Sequence, residues 1–215
     1  MVYNLGKEHS IVNQFVAELR DTEVQKDRMR FRRNLIRLGE IFAYEISKKM
    51  SFTTKEVTTS LGIANVPVLT EQPIVGTILR AGLPLHEGLL NFFDHADNAF
   101  ISAYRKHHKD GSFDIKLEYV SSPLLKDRIL ILCDPMLATG SSIVMTHKAL
   151  MEKGIPKQTH IVSALASTQG IAYVRSQLSS QITIWTAAID EELTAQAFIV
   201  PGLGDAGDLA YGEKM

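Results

Sequence analysis

The sequence contains very little cysteine and no long run of apolar residues. Cys133 is the only cysteine among 215 residues, which excludes internal disulfides and cysteine-based zinc sites and is typical of a reducing cytoplasm. Because Cys133 lies inside an apolar stretch, we expect a buried small hydrophobe and not a nucleophile. No apolar run approaches the roughly 20 residues that cross a bilayer. Residues 1–10 lack the apolar core of a signal peptide. We therefore expect a cytoplasmic protein without a membrane partner.

The sequence also lacks an excess of charge of either sign. Its 23 basic and 24 acidic residues give a formal net charge of -1, so no general field attracts nucleic acid or an anionic membrane. Apolar content of 45% and charged content of 22% are those of an ordinary globular protein. At this length we expect one domain over residues 1–215, with a helical N-terminal part to about residue 60.

An amphipathic helix is predicted in the first third of the chain. Its apolar residues recur at steps of three and four, with arginines and a glutamate between them; they are Phe31, Leu35, Leu38, Phe42 and Ile46. We expect this helix to pack on the core or on a partner. If the helix packs on a partner, the protein is expected to form a homodimer or a higher homo-oligomer.

From residue 73 onward, strand and helix patterns alternate along the chain. The predicted strands are residues 74–79, 99–104, 129–133, 160–166 and 182–188, and the predicted helices are residues 83–93, 143–153 and 170–178. Residues 106–122 are polar, and the alternation at 115–120 predicts an arm or hairpin strand. This order predicts an α/β fold in which helices flank a parallel sheet. The residues that follow each strand should then converge on one crevice.

The segment after the strand predicted at 129–133 is the most informative one. It consists of Asp134, Pro135, Met136, Leu137, Ala138, Thr139, Gly140, Ser141 and Ser142. A loop of small residues between a strand and a helix binds anions, because its N–H groups and the positive end of the helix dipole point at the ligand. The acid that ends the strand can hold ribose hydroxyls or a metal ion. The alternative is a tight turn capped by Ser141 or Ser142.

Two arginines follow neighbouring predicted strands. Arg80 precedes two small residues after the strand at 74–79, and Arg105 follows the strand at 99–104. A guanidinium group can bind two oxygens of a phosphate or pyrophosphate at once. The alternative for each is a loop arginine in an ordinary ion pair. The adjacent pair His107 and His108 lacks acid or cysteine partners, so we expect no metal site there.

Glycines are concentrated near the end of the chain. Four of them lie within eleven residues, at Gly202, Gly204, Gly207 and Gly212. Two acids, Asp205 and Asp208, stand between them. Glycine lets backbone N–H and C=O groups approach a small flat base, and the regular acids favour such a site over the alternative, a flexible tail.

Taken together, these segments resemble the uracil phosphoribosyltransferase family. The resemblance rests, in this order, on residues 78–83, 104–105, 134–140 and 201–208, and residues 38–45 also look like the family's N-terminal part. It therefore covers nearly the whole chain.

The resemblance implies the type I phosphoribosyltransferase fold, with a C-terminal hood at about residues 188–215 and a mobile β-arm near residues 105–123. It implies transfer of the phosphoribosyl group of 5-phospho-α-D-ribose 1-diphosphate to uracil, giving UMP and pyrophosphate. Mg²⁺ would be held mainly by the substrate diphosphate, with no direct protein ligand. In some relatives a nucleotide such as GTP acts as an activator.

The family's site residues carry over by position. Residues 134–142 would hold the ribose 5-phosphate and the ribose hydroxyls, and Arg80 and Arg105 would hold the pyrophosphate. The expected catalytic residues are Asp134, Arg105 and Arg80. Ile199, Gly204 and Ala206 would present main-chain groups to uracil. Asp205 would lie by the ribose diphosphate and the base.

Three positions depart from the family's usual pattern. Ser141 stands where a second glycine is usual, Pro84 where glycine is frequent, and Leu209 where a basic residue is usual. The last removes a charge near the expected base pocket. Three alternative functions remain open: a transferase for another base, a regulatory RNA-binding protein of this fold without catalysis, and a subunit that binds a nucleotide only to regulate a partner.

Overall fold

The computed structural model describes residues 1–107, 113–178 and 181–213, and within these it leaves the side chains of 103–107 and 113–116 undescribed. The strands are β1 (Val2–Asn4), β2 (Phe52–Thr59), β3 (Gly62–Leu69), β4 (Ile74–Leu79), β5 (Asp97–His107), β6 (Phe113–Ser121), β7 (Ile129–Cys133), β8 (Met136–Leu137), β9 (Gln158–Ser167), β10 (Ile182–Asp190), β11 (Glu192–Leu193) and β12 (Ile199–Val200). The α-helices are α1 (Ile11–Arg20), α2 (Arg28–Ser47), α3 (Leu83–Leu90), α4 (Ser141–Leu150), α5 (Thr168–Gln177) and α6 (Ala206–Tyr211).

The main sheet has the strand order β1-β10-β9-β7-β4-β5-β6, with β8 paired to β9. All neighbours are parallel except β5 and β6, which form an antiparallel hairpin at one edge. The predicted parallel α/β sheet is therefore confirmed. The short strand β1 was missed, because it carries no pattern that distinguishes it from a loop. The hairpin contains the strand pattern predicted at 115–120. Residues 108–112, which include His108, lie outside the described residues, and the arm's mobility stays a prediction.

The central strand β7 is buried along its whole length, as expected for a parallel strand covered on both faces. Cys133 ends this strand and is 0% exposed. Burial disfavours the thiolate and raises the pKa of the Cys133 thiol to about 12. The prediction of a buried, unreactive cysteine is confirmed.

The apolar face of α2 is directed into the core of its own chain. Phe31, Leu35, Leu38, Phe42 and Ile46 are all buried. The helix crosses α3 closely, since a Cβ atom added at Gly39 would lie 2.9 Å from the Cα atom of Gly88. The apolar face is therefore used within the chain and gives no support for a homodimer. The oligomeric state stays a prediction.

The N-terminal part is not helical up to about residue 60, so that expectation was wrong. Helix α2 ends at Ser47, and the antiparallel hairpin β2–β3 follows it. Residues 52–59 carry four threonines and a valine, and β-branched side chains favour extended backbone. Most of the hairpin is exposed, so no buried face produced the apolar alternation by which strands are recognised in a sequence.

The remaining boundaries differ from the predicted ones by a few residues. Helix α4 begins at Ser141, two residues before the predicted start at 143, and α3 ends at Leu90. Strand β10 continues to Asp190, two residues beyond the predicted end. None of the helices in the described parts of the chain is both long and apolar enough to cross a membrane.

The segment that we call the hood, residues 191–213, lies outside the main sheet. It contains the antiparallel pair β11–β12 and the short helix α6. The Asp205 carboxylate caps α6 by accepting hydrogen bonds from its first-turn N–H groups. Arg32 of α2 donates a hydrogen bond to the carbonyl of Ala210, 2.7 Å away, at the far end of α6. The N-terminal helices therefore support the hood.

His160 is a buried titratable group near the start of β9. It is 4% exposed, and its Nδ1 atom accepts a hydrogen bond from Trp185 Nε1 at 3.1 Å. Burial lowers the pKa of His160 from 6.5 to about 4, because the imidazolium form would lose its hydration. The folded protein therefore keeps this ring neutral where the unfolded chain already binds a proton.

We expect this difference to make stability depend on pH. Because the folded-state pKa is the lower one, the contribution of His160 to the free energy of unfolding is fully present above pH 6.5 and falls by on the order of 3 kcal/mol as the pH drops towards 4. His160→Asn keeps an acceptor for Trp185, but its side chain does not bind a proton in this pH range. The urea midpoint of this variant should therefore fall less steeply than that of wild type between pH 6.5 and pH 4. His9→Asn, at an exposed position, is the matched control. Parallel pH profiles for wild type and His160→Asn would contradict this assignment.

Candidate active site

Strand β4 is the point in the sheet from which later strands are added on opposite sides. Strand β5 lies on one side of β4 and β7 on the other, although β4 precedes both in sequence. Ligands bind at such a switch point, beyond the carboxyl ends of the strands. The turn after β4 begins with Arg80, and Asp134 follows β7. A Cβ atom added at Gly82 would lie 2.2 Å from Thr77 Oγ1 and 3.1 Å from the Cys133 carbonyl oxygen. Only glycine lets the Arg80 turn pack against the end of β7.

The loop from β7 to α4 follows the edge of the sheet. Its first part forms β8 beside β9, and Asp134 Oδ1 accepts a hydrogen bond from the N–H of Met136 at 3.4 Å. It encloses a depression of about 210 Å³, open to solvent, lined by Asp134, Met136, Leu137, Ala138, Thr139, Gly140, Ser142 and Ile143. The nine-residue segment selected from the sequence therefore forms a concave surface at the carboxyl edge.

The start of α4 is not capped by a serine. Gly140 occupies the N-cap position in the left-handed conformation, with φ 81°, and no side chain caps the helix there. The alternative interpretation, a turn capped by Ser141 or Ser142, is therefore wrong. Thr139 Oγ1 accepts a hydrogen bond from the N–H of Ser141 at 3.3 Å. The N-cap residue itself, Gly140, offers no side-chain acceptor to the first turn of α4, which suits an anionic ligand.

The loop is fixed from behind by the start of α5. Ser167 Oγ donates to the Ala138 carbonyl at 2.5 Å and accepts from the N–H of Gly170 at 2.8 Å. A Cβ atom added at Gly140 would lie 2.9 Å from the Gly170 carbonyl oxygen. The two segments therefore meet backbone to backbone. Ser167 was missed in the sequence, although a serine that ends a strand and caps the next helix is a recognisable signal.

The guanidinium group of Arg80 faces the hood. Its Nη2 atom donates to Asp208 Oδ1 at 3.3 Å and to the Gly212 carbonyl at 3.2 Å. Its Nε atom is buried and has no hydrogen-bond partner within the described parts of the chain. A buried donor without an acceptor is costly unless a ligand accepts from it. Arg80 therefore has donor capacity left for an anion.

The glycine-rich part of the hood lies beside Arg80. Asp205 Oδ1 accepts from the N–H groups of Gly207 and Asp208 at 2.8 and 3.0 Å. A Cβ atom added at Gly207 would lie 3.9 Å from Arg80 Nη2. Gly204 is exposed and adopts φ 97°, a conformation that L side chains rarely take. The hood is therefore a folded structure over the Arg80 turn and not a flexible tail.

The Arg80 turn is thus the common neighbour of both other segments. It touches the end of β7, where residues 134–142 begin, and it touches the hood that carries Ile199, Gly204, Asp205 and Ala206. Arg105 lies in β5, which pairs with β4, but its side chain lies outside the described part of the structure. Its role in binding pyrophosphate stays a prediction.

The three departures from the family's pattern fit their surroundings. Pro84 lies in the first turn of α3, where a missing N–H costs no helix hydrogen bond. Ser141 is the first residue of α4. The side chain of Leu209 approaches the glycine-rich part of the hood, since its Cδ1 atom would lie 3.9 Å from a Cβ atom added at Gly204.

Sequence reasoning missed an ion pair beneath the hood. Arg20 of α1 binds both carboxylate oxygens of Asp190, at 2.8 and 2.7 Å. Asp190 Oδ2 also accepts from the N–H of Gly202 at 3.0 Å. The rule that residues at strand ends form the site would have found Asp190, had β10 been predicted to its true end. Nothing in the sequence singles out Arg20.

Comparison with known proteins agrees with this geometry. A protein from Porphyromonas gingivalis named uracil phosphoribosyltransferase is 55% identical over 214 residues, which cover 100% of this chain and 99% of the relative. The solved structure of the AQ2163 protein from Aquifex aeolicus has a TM-score of 0.87 and 30% identity, and the match covers 99% of this chain and 98% of that one. The adenine phosphoribosyl transferase from Trypanosoma brucei, solved with AMP, pyrophosphate and ribose-5-phosphate, shares the fold, with a TM-score of 0.55 at 10% identity over 87% of this chain and 83% of its own.

The fold is therefore that of the type I phosphoribosyltransferases. The sequence model of the uracil phosphoribosyltransferase family matches residues 6–213 of this chain. The chain belongs to that family.

Proposed function

We propose that the protein transfers the phosphoribosyl group of 5-phospho-α-D-ribose 1-diphosphate to uracil, giving UMP and pyrophosphate. The observation that carries this proposal is the position of the Arg80 turn between the loop at 134–142 and the hood. A phosphorylated sugar bound in the loop and a base bound under the hood would meet at this turn. Whole-length identity of 55% to a protein named uracil phosphoribosyltransferase supports the choice of base.

The loop at 134–142 binds the 5-phosphoribosyl end of the substrate. The helix start, with glycine at its N-cap position, attracts the 5-phosphate through first-turn N–H groups and the helix dipole. The Asp134 carboxylate, at the edge of the same depression, holds the ribose hydroxyls. The diphosphate then extends towards Arg80 and Arg105.

The reaction breaks the bond between the anomeric carbon and the diphosphate oxygen, and positive charge develops on the ribose ring. The leaving group is therefore stabilised by the cationic side chains that hold it, Arg80 and Arg105. Asp134 lies on the ribose side, where its negative charge favours the positive ring. The hood excludes water, which would otherwise hydrolyse the sugar. Holding the uracil nitrogen in line with the anomeric carbon supplies the orientation that the reaction needs.

Uracil is recognised by backbone groups of the hood. Main-chain groups of Ile199, Gly204 and Ala206 contact the base, whose edge carries two carbonyls and an N–H. The bond from the uracil nitrogen to the anomeric carbon replaces the bond to the diphosphate, and the proton of that nitrogen goes to the departing diphosphate. The backbone contacts stabilise negative charge that develops on the base, so no strong general base from the protein is required. Leu209, beside Gly204, gives this pocket an apolar side where relatives usually have a basic residue.

Mg²⁺ is the expected cofactor, and it arrives with the substrate. The described parts of the chain contain no group of three or more histidine, cysteine, aspartate or glutamate side chains that could hold a metal. Mg²⁺ prefers oxygen ligands, which the substrate diphosphate offers, and bound there it would neutralise part of the diphosphate charge. The protein's own contribution is to orient the diphosphate with Arg80 and the ribose with Asp134.

Three further expectations go with this function. The β5–β6 arm closes over the diphosphate as a lid, the chain forms a homodimer or a higher homo-oligomer, and GTP is a candidate activator, as it is in some relatives. The exposed hairpin β2–β3 supports the second expectation, because an isolated two-stranded hairpin is only marginally stable in water.

A panel of bases tests the proposed function. With Mg²⁺ and 5-phospho-α-D-ribose 1-diphosphate present, we expect pyrophosphate release with uracil to be at least about 100-fold faster than with cytosine, hypoxanthine, guanine or adenine. The physical reason is that backbone donors and acceptors set for uracil are left unpaired by the other bases. A reaction without base gives the background hydrolysis. Faster release with a purine, or equal release without base, would contradict the proposal.

Replacement of Asp134 tests the role of the strand-end acid. Asp134→Asn keeps an oxygen that can accept from Met136 but removes the charge, so turnover should fall by about 100-fold or more while the urea midpoint stays near that of wild type. Asp97→Asn is the matched control, since Asp97 lies at the amino end of β5 and pairs with Arg128 at 2.9 Å. Unchanged turnover in Asp134→Asn would show that this carboxylate has no part in catalysis.

A further inference from the structure

The ion pair between Arg20 and Asp190 binds both backbone groups, the N–H and the carbonyl, of Gly202 in the hood. Asp190 Oδ2 accepts from the N–H of Gly202 at 3.0 Å, and Arg20 Nη1 donates to the carbonyl of Gly202 at 3.0 Å. The pair itself is bidentate, with N–O distances of 2.8 and 2.7 Å. Fixing both backbone groups of one residue determines the orientation of the peptide planes before and after it.

The pair is largely removed from solvent. The side chain of Asp190 is 7% exposed and that of Arg20 is 23% exposed. Charge-assisted hydrogen bonds at such a site are short and directional, and their geometry is not averaged by water. Arg20 lies at the end of α1 and Asp190 at the end of β10, so the hood turn is tied to two rigid elements.

Gly202 lies between the residues that are proposed to contact uracil. Ile199 precedes it by three positions and Gly204 follows it by two. Its φ of 57° and the 2.0 Å distance from an added Cβ atom to the Ile199 carbonyl oxygen show that the turn tolerates only glycine. A rotation of the peptide planes at Gly202 would therefore move the main chain on both sides of the base.

A neighbouring contact fixes the next residue of the turn. The side-chain amide of Gln25 finds hydrogen-bond partners only in the orientation that directs its nitrogen at the hood. In that orientation the nitrogen donates to the Leu203 carbonyl at 2.9 Å. Gln25 is buried and belongs to the short turn between α1 and α2. The backbone carbonyls of two consecutive hood residues are thus satisfied by side chains from the N-terminal helical part.

We infer that Arg20 and Asp190 are positioning residues for base binding: through Gly202 they set the main-chain geometry with which the hood reads uracil, without touching either substrate. This inference rests on the proposed function and adds the residues that determine its base affinity. It separates the two substrates at the level of side chains, since those of Arg20 and Asp190 bind Gly202, whereas Ser167 and Gly170 hold the 134–142 loop. Asp190 and Ser167 are backbone partners in β10 and β9, and Thr168 Oγ1 donates to the Asp190 carbonyl at 3.4 Å; a side-chain substitution at Asp190 leaves these backbone contacts in place.

Steady-state kinetics of three variants tests the inference. Misplacement of a binding group by about 1 Å costs on the order of 100-fold, so Arg20→Met should raise the KM for uracil by about tenfold or more. The KM for 5-phospho-α-D-ribose 1-diphosphate should change by less than about twofold. Arg20→Lys keeps the charge and one donor and should recover part of the loss. Arg30→Met is the matched control, since Arg30 forms a bidentate pair with Glu18 in the same region and donates to no residue of the hood in the described structure.

A double variant distinguishes a change in uracil binding from a loss of folding. Arg20→Met leaves the buried Asp190 carboxylate unpaired, which is strongly destabilising. Arg20→Met with Asp190→Leu removes both charges together and also removes the side-chain acceptor of the Gly202 amide, so the chain should fold while the turn loses its fixed orientation. The expected result is a raised KM for uracil with a urea midpoint closer to that of wild type. Equal rises in the KM values of both substrates, or an unchanged KM for uracil in the folded double variant, would overturn the inference.

Hydrogen exchange at the Gly202 amide gives a readout that does not depend on activity. Exchange should be faster in the double variant than in wild type and unchanged in Arg30→Met, because only the former loses the Asp190 carboxylate as acceptor. Unchanged exchange in the double variant would overturn the inference by itself. A wild-type protein without uracil-dependent pyrophosphate release would instead refute the proposed function, and the exchange result would still decide whether the ion pair fixes the turn.

Discussion

The contact between the Arg80 turn and the hood is the interaction on which the candidate site depends. The sheet brings Arg80 and Asp134 to one edge, because β4 and β7 are parallel neighbours that end there. The sheet alone leaves this edge open to solvent. The hydrogen bonds from Arg80 to Asp208 and to the Gly212 carbonyl connect the edge to the hood. A charged donor that holds the hood and also has a buried, unpaired Nε atom can respond to an incoming anion.

Glycine decides where the backbone can form this site. At Gly82 an added Cβ atom would lie 2.7 Å from the Ile78 carbonyl oxygen of its own turn, and at Gly140 it would lie 2.9 Å from the Gly170 carbonyl oxygen of α5. A side chain at either position would therefore displace the backbone. At Gly202 and Gly204 the positive φ values of 57° and 97° turn the hood back over the sheet. These glycines allow the backbone segments to approach each other closely, but they do not fix the segments in place. The polar side chains of Arg20, Ser167 and others supply the fixation, and they come from helices and strands far away in the sequence.

The sequence was informative where local patterns and function coincide. The apolar strand at 129–133 and the small-residue loop after it predicted both an element and a ligand site, and both positions agree with the structure. The exposed hairpin β2–β3 was missed, because strands without a buried face show no apolar alternation. Arg20 was missed for another reason. Its partner is 170 residues away, and no local pattern distinguishes such an arginine from one on a solvated helix face.

A crystal structure with 5-phospho-α-D-ribose 1-diphosphate and Mg²⁺ tests the central claim most directly, because it locates both ends of the substrate at once. The account predicts the 5-phosphate at the N-terminus of α4, within hydrogen-bond distance of backbone N–H groups in residues 138–142. It predicts the diphosphate on the guanidinium of Arg80, with the ribose beside Asp134. A substrate bound in the reverse direction, or a diphosphate that makes no contact with Arg80, would contradict it.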